Sequence, residues 1–395
     1  MTGPLHGIRV LDLGRVLAGP FCALQLAEMG AEVIKIERPK YGDDSRSFGP
    51  FVNGESTYYV MLNRGKVGIT LDLKKPRAIE IFKELVTQSD VVIENFTPGV
   101  MERLGIGYSE LHRLNERIIY AGISGFGRSG PYSHRPGYDI VAQAMGGLMS
   151  ITGFPDGPPT KAGSSIADVT AGLYGALAIM MALYSREKTG RGQLIDIALL
   201  DAIIACCETN IVRYTVGGIS PQRVGNRHPL SAPFDTYQAK GGYVVIAVAN
   251  ETLATKLFAA LGKPELHADP RFETDAARSE NAVTLKAIIE DWLARYTVEQ
   301  AVDLLLAAGI PSSPVLTIGD MCRDPQVAAR EMLVEIEQPA AGRMVMPGNP
   351  MKLSETCAEV RGSAPLLGQD NEEVLGKLLG LDEESVRELR YAGVV

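Results

Sequence analysis

Asp168 is the residue whose type and setting most directly suggest chemistry. It stands in Gly163-Ser164-Ser165-Ile166-Ala167-Asp168-Val169-Thr170-Ala171-Gly172, at the head of a long apolar run. An Asp there is first of all an N-cap, its carboxylate accepting the free N–H groups of a helix's opening turn. The positive end of the helix dipole also favours the ionised form. An ionised carboxylate is the form that attacks in covalent catalysis. Cap and nucleophile are compatible, and the pattern alone leaves both open.

A second motif, Gly125-Phe126-Gly127-Arg128-Ser129-Gly130, has the spacing of a dinucleotide fingerprint and follows an apolar run. That fingerprint needs a helix N-terminus for its phosphate, and Pro131 and Pro136 disfavour one here. It also belongs to the first strand–helix turn, which here reads Gly14-Arg15-Val16-Leu17-Ala18-Gly19. The glycines therefore read as a loop near a site. The histidines are scattered with no H-x-x-x-H, and no G-x-S-x-G is present, which argues against a metalloenzyme and a serine hydrolase. Five cysteines, at 22, 206, 207, 322 and 357, include no C-x-x-C. Neither a disulfide framework nor a zinc site is expected, and a reducing compartment follows.

The elements that must position these residues come next. The chain has 395 residues, more than one core usually holds, so two domains are expected. Its net charge of −8 offers no footprint for nucleic acid, and an anionic ligand must be met by a local cluster of cations. Met1 to Gly7 lacks the basic and apolar regions of a signal peptide. The run Ala171 to Tyr184 reads as a buried helix too short to span a bilayer. A cytoplasmic protein without membrane contact is expected.

Ile8 to Leu13 reads as a strand, Phe21 to Met29 as a helix, and Glu32 to Glu37 as a second strand: a βαβ unit. Gly68 to Leu73, Asp90 to Glu94 and Ile118 to Ser124 are further strands. Pro76 to Thr87 is a helix with Ile79, Phe82, Leu85 and Val86 on one face. Short apolar strands alternating with helices predict an α/β fold with a parallel sheet. Ligands of such sheets lie at the strands' carboxyl ends, which singles out loops 14–20, 38–49, 94–99 and 124–139. Helices are expected over Val169 to Glu187, Ile197 to Thr215 and Asp324 to Leu333. Composition shifts near 220, before a strand at Gly242 to Val248. Residues 1–200 and 325–395 are assigned to a large domain, 201–224 to a linking helical region, and 225–324 to a smaller α+β domain.

Four separated segments resemble one family together. They are Leu5 to Asp12 with Ala18-Gly19-Pro20; Glu32 to Pro39; Asp90 to Gly99 with Arg103-Leu104-Gly105; and the Asp168 segment. Pro347-Gly348-Asn349-Pro350 and Leu367-Gly368-Gln369 extend the likeness to the C-terminal region. Their order and spacing resemble the class III CoA-transferases (CaiB/BaiF, formyl-CoA transferase-like). The resemblance implies a large Rossmann-like domain built from both ends of the chain, a small domain between them, and an intertwined homodimer. It implies that Asp168 is the nucleophile. It places coenzyme A contacts at Val16, Leu17, Ala18, Arg38, Leu71, Asp72, Leu73, Lys74, Asn95, Phe96 and Arg103, with Gly137, Tyr138 and Asp139 beside them. Arg38 and Arg103 suit this independently, since a guanidinium can grip phosphate with two hydrogen bonds.

The implied reaction moves CoA from an acyl-CoA donor to a free carboxylic acid through an aspartyl anhydride and an aspartyl-CoA thioester. Coenzyme A is then substrate and product, with no tightly bound cofactor and no metal. Succinyl-CoA is the preferred donor, because Arg46, Arg227 and His228 could meet a second carboxylate. Gly137, Gly146 and Gly147 are candidate oxyanion donors, and 225–231 a candidate lid. Formyl-CoA transferases carry Gln where this chain has Leu17, and a glycine run that this chain lacks near 225–231, which argues against formate and oxalate. The alternative is an acyl-CoA racemase or epimerase of the same superfamily. Those enzymes resemble a G-H-D pattern, but this chain reads Gly137-Tyr138-Asp139. A phenol with a pKa of ~10 is a poor proton shuttle at neutral pH.

Overall fold

The computed structural model describes residues 3–356, 360 and 362–395; Cys357, counted above, lies outside them, as do Met1 and Thr2. Two compact units divide the chain. The first comprises Met1–Leu148, Lys161–Val212 and Pro325–Val395, and the second Met149–Thr160 and Arg213–Asp324.

Six strands form the sheet of the first unit: β1 (Arg9–Asp12), β2 (Glu32–Glu37), β3 (Val67–Thr70), β4 (Val91–Glu94), β5 (Ile119–Ser124) and β6 (Leu194–Ala198). All neighbours are parallel, in the order β3-β2-β1-β4-β5-β6. This is a doubly wound order, and it reverses between β1 and β4. Successive side chains alternate between two cores, as strand geometry requires. Val10, Val33, Val91 and Ile93 enter one core, and Leu11, Ile34, Val92 and Tyr120 the other.

Helix α1 (Ala18–Glu28) and the 24-residue helix Ile166–Thr189 share the first core. Glycines let these two helices approach closely. A Cβ on Gly172 would lie 2.9 Å from the Ala18 carbonyl oxygen, and one on Gly175 3.1 Å from Cys22 Sγ. That closeness brings the head of the long helix, with Asp168, against the head of α1. The helix starts at Ile166, so Asp168 is its third residue.

The expectation of a short, buried helix is corrected. Ala171, Gly175, Ile179 and Ala182 are buried, but Leu173, Leu177, Met181 and Tyr184 are exposed on the other side. By length and composition the helix could cross a membrane, yet its inner face packs as a core helix does. The expected helix over Ile197 to Thr215 is instead β6 followed by Leu199–Cys206 and Glu208–Thr215. Likewise the expected helix from Asp324 is only Pro325–Ala329, followed by an antiparallel hairpin of Leu333–Gln338 with Gly342–Pro347.

The C-terminal segment closes the open edge of the sheet. Gly68 and Thr70 of β3 donate their N–H groups to Asp370 Oδ2 (2.6 Å) and Asn371 Oδ1 (2.8 Å). These side chains satisfy an edge that would otherwise be unpaired. The second unit holds a three-stranded antiparallel sheet with Gly242–Ala247 at its centre, flanked by Phe234–Ala239 and Ser312–Pro314. Leu257, Phe258, Ile289, Trp292 and Leu305 form its core.

Candidate active site

The loops after β1 and β4 meet where the sheet order reverses. Arg15 donates its N–H to Asn95 Oδ1 at 2.7 Å, and Asn95 Nδ2 returns a bond to the Arg15 carbonyl at 2.9 Å. Gly14 N–H is accepted by Asp12 Oδ1 at 2.8 Å. Val16 sits at φ 63°, in the left-handed region. For a β-branched residue this costs on the order of 1–3 kcal/mol, so the surroundings must impose it. Its N–H points to Asp43 Oδ1 and Oδ2, at 3.0 and 3.2 Å.

Above these loops lies a cavity of about 480 Å³. Val16, Leu17, Ala18, Asn95, Phe96, Gly137, Tyr138 and Asp168 all line it. A neighbouring cavity of about 260 Å³ shares Arg15, Phe96 and Val100 with the first and adds Arg38, Leu71, Asp72, Leu73 and Lys74. Most residues singled out in the sequence therefore converge on two adjoining hollows of one unit. Arg15, absent from that set, joins Arg38 there, and both pair with Asp44.

Asp168 is not the cap of its helix. Asp139 takes that role, accepting the Ala167 N–H at 2.8 Å with Oδ1 and a bond from Gln143 Nε2 at 2.7 Å with Oδ2. The Asp168 carboxylate is thereby not engaged as the cap of its own helix. The sequence also led us to expect the helix dipole to keep Asp168 ionised. Instead, burial and then the Asp139 charge push its carboxyl up to about 7. Desolvation disfavours the charged form and a neighbouring like charge adds to it.

Tyr58, in the helix Thr57–Asn63, was not visible as a site residue in the sequence. Burial and then the Asp168 and Asp43 charges push its phenol up to about 12, so it stays protonated near Asp168. Its ring packs edge-on to Phe48, centroids 5.7 Å apart.

Four expected residues stand elsewhere. Arg46 is committed to Glu37, with bonds of 2.7 and 2.8 Å, and to the Pro365 carbonyl, and its guanidinium stacks 3.7 Å from the centre of the Tyr59 ring. It lines neither hollow and is not free to meet a substrate carboxylate. Arg227 and His228 belong to the second unit. Arg227 lines a cavity of about 310 Å³ with Phe154, Asp235 and Lys286, while His228 stacks on Phe234. Arg103 ends the short helix Val100–Arg103 beside Gly99 and lines neither hollow.

The glycine motif at 125–130 opens no helix; the next one begins at Asp139. Its first glycine permits a close backbone approach, since a Cβ on Gly125 would lie 2.6 Å from the Gly137 Cα. Arg128 ties this loop to Glu94 at 3.1 Å. Of the candidate oxyanion glycines, Gly137 lines the Asp168 cavity. Gly146 is instead packed under Ile203, 2.5 Å from where its Cβ would be.

Sheet, switch-point loops and a half-buried carboxylate define an α/β protein with a carboxylate-centred site. CoA-transferase family III matches residues 5–371, and the chain belongs to that family. The chain is 44% identical over 353 residues to an acetyl-CoA:oxalate CoA-transferase of Acetobacter aceti, covering 89% of this chain and 90% of that one. It is 40% identical over 394 residues to a succinyl-CoA–D-citramalate CoA-transferase of Chloroflexus aurantiacus, covering 99% and 98%. A CaiB/BaiF family protein of Brucella suis has a similar structure, with a TM-score of 0.86 at 38% identity, covering 96% of this chain and all of that one.

Proposed function

We propose that this CoA-transferase moves CoA from succinyl-CoA, or a related acyl-CoA, to a free dicarboxylic acid, with Asp168 as the covalent carrier. The observation that carries the reading is a partly desolvated carboxylate, not engaged as a helix cap, that lines one of two adjoining hollows. Arg15, Arg38 and Lys74 supply the local cations that a net charge of −8 makes necessary for an anionic ligand.

In the first step an Asp168 oxygen attacks the thioester carbonyl, the C–S bond breaks, and a mixed anhydride and a CoA thiolate result. The thiolate attacks the aspartyl carbonyl, the donor acid leaves, and an aspartyl-CoA thioester remains. The acceptor carboxylate attacks that thioester, expelling the thiolate and forming a second anhydride. The thiolate then attacks the acceptor's carbonyl, giving the new acyl-CoA and restoring Asp168. One thioester replaces another, so no external energy source is consumed. Tyr58, protonated near Asp168, and the Gly137 backbone are the donors we assign to the developing oxyanions.

The relatives' names bear on the substrates. Several are named for succinyl-CoA with a dicarboxylic acceptor, and one for acetyl-CoA and oxalate. Oxalate, disfavoured in the sequence by Leu17 and by the missing glycine run near 225–231, therefore belongs among the acceptors to test. The experiment is a matrix of succinyl-, acetyl- and butyryl-CoA against oxalate, glutarate, mesaconate, malate and monocarboxylic controls. Transfer confined to dicarboxylic partners is the expected result. Transfer to monocarboxylic acids alone would remove the substrate assignment. Deuterium uptake at the α-carbon without any acceptor would favour the epimerase reading.

The reading includes a Rossmann-like CoA-binding domain, a cytoplasmic location and an intertwined homodimer. The dimer would cover Leu173, Leu177, Met181 and Tyr184, an apolar row too large for a solvated helix face.

A further inference from the structure

Val16 is the one β-branched residue among the described non-glycine residues with positive φ. Three neighbouring backbone N–H groups, those of Gly14, Arg15 and Val16, are each accepted by a side chain from elsewhere: Asp12, Asn95 and Asp43. Of the three acceptors, Asp43 bears on the strained residue itself. Asp43 is held in turn. Lys35 Nζ donates to its Oδ2 at 2.9 Å, and the N–H and hydroxyl of Ser45 donate to its Oδ1, each at 2.9 Å. Lys35 also donates to the Gly14 carbonyl, so one ammonium grips both the loop and the carboxylate that clamps it.

The Lys35 and Asp43 side chains are 0% and 1% exposed. Burial pushes Asp43 up, but the Lys35 ammonium and the N–H groups of Ser45 and Val16 outweigh it and hold the carboxyl well below its ordinary range. The ion pair thus stays charged throughout the neutral range. A buried pair of this kind is weak evidence of added stability, but it can specify one conformation among several.

We propose that Asp43 is a positioning residue for the transferase reaction: through Val16 it holds the 15–18 backbone in the left-handed turn that faces Asp168. This rests on the reading of Asp168 as the reacting group. Asp43 borders the neighbouring hollow, but its side chain is almost wholly buried and its oxygens are taken up by Val16, Lys35 and Ser45, whereas Val16, Leu17 and Ala18 line the cavity that holds Asp168. The clamp therefore sets geometry at the reacting carbons more than affinity for the nucleotide end of CoA. A small misplacement there is costly, because the rate depends steeply on the alignment of the reacting atoms.

The test uses the strain itself. In Asp43→Asn one neutral amide oxygen replaces two carboxylate oxygens, so Val16, Ser45 and the Lys35 ammonium can no longer all be accepted and the turn relaxes. The expected result is a fall in kcat of about 10–100-fold with KM for the acyl-CoA changed by less than about threefold. Glycine occupies positive φ at no steric cost, so Val16→Gly no longer needs the clamp. Adding Val16→Gly to Asp43→Asn should therefore recover at least about fivefold in kcat over Asp43→Asn alone, a positive coupling in the double-mutant cycle. Ser45→Ala is the gentler variant, removing one hydroxyl from the clamp. It should show the same pattern at about 2–5-fold and serves if Asp43→Asn does not accumulate folded. Additive losses in both cycles, or a loss confined to KM, would overturn the proposal. An active unsubstituted enzyme with no coupling removes the clamp and leaves the transferase reading intact.

Discussion

Asp168→Asn is expected to lose at least ~10⁴-fold of transfer activity while melting at a higher temperature than the unsubstituted protein near pH ~8. The first half follows from chemistry, since an amide of nearly the same shape cannot form the anhydride. The second half follows from linkage. Burial and Asp139 raise this carboxyl from 3.8 to about 7 in the folded protein. The folded state thus holds the proton more tightly than the unfolded chain does. The group costs nothing below 3.8, and stability is lost as pH rises from 3.8 through 7. Above that window the cost is fully present, and Asn removes it. Allowing for the side of the carboxylate still open to water, the gain is on the order of 2 kcal/mol. Paired kinetic and thermal measurements near pH ~8 and ~4 check it, and the difference in stability should shrink at the acid end. A variant that melts lower than the parent near pH ~8 would show that the carboxylate is not held under strain.

The second large effect is on the pH profile. In the proposed mechanism Asp168 attacks in its ionised form, so kcat/KM should fall ~10-fold for each pH unit below about 7. Glu94 has a carboxyl also raised to about 7, chiefly by burial, and the two must be told apart. Asp139→Asn removes the like charge beside Asp168 and keeps an oxygen for the Ala167 N–H. The acid limb should move to lower pH, only part of the way, because burial is the larger cause. Glu94→Gln should leave the limb where it was. A flat profile, or a limb that follows Glu94 and ignores Asp139, would contradict the assignment.

The part of this molecule that could be read in advance is the part where neighbours in sequence act together. β1, β2, β4 and β5 are apolar runs bounded by turns, because both their faces are covered. β6 was hidden because it alternates exposed and buried residues and then runs directly into the apolar helix Leu199–Cys206. The hairpin from Leu333 was hidden for a similar reason, its strand continuing a stretch that begins as a helix. Asp168 was legible as a carboxylate heading an apolar helix. The helix's cap, Asp139, lies 28 positions upstream of Ala167, whose N–H it accepts, a separation that no helix period links. Arg46 misled because a guanidinium in a loop reads as free, whereas Glu37 and Tyr59 hold it through the fold. Tyr58, Lys35 and Asp43 acquire their roles only when the sheet closes, so no local pattern marks them.

The remaining claim is covalent, and peptide mass spectrometry reaches it directly. The protein is mixed with acyl-CoA in the absence of acceptor, quenched in acid, digested and mapped, with a parallel sample treated with hydroxylamine. The account predicts CoA joined to the peptide bearing Asp168, and its replacement there by a hydroxamate. An unmodified Asp168 peptide from a preparation that transfers CoA once acceptor is supplied would contradict it.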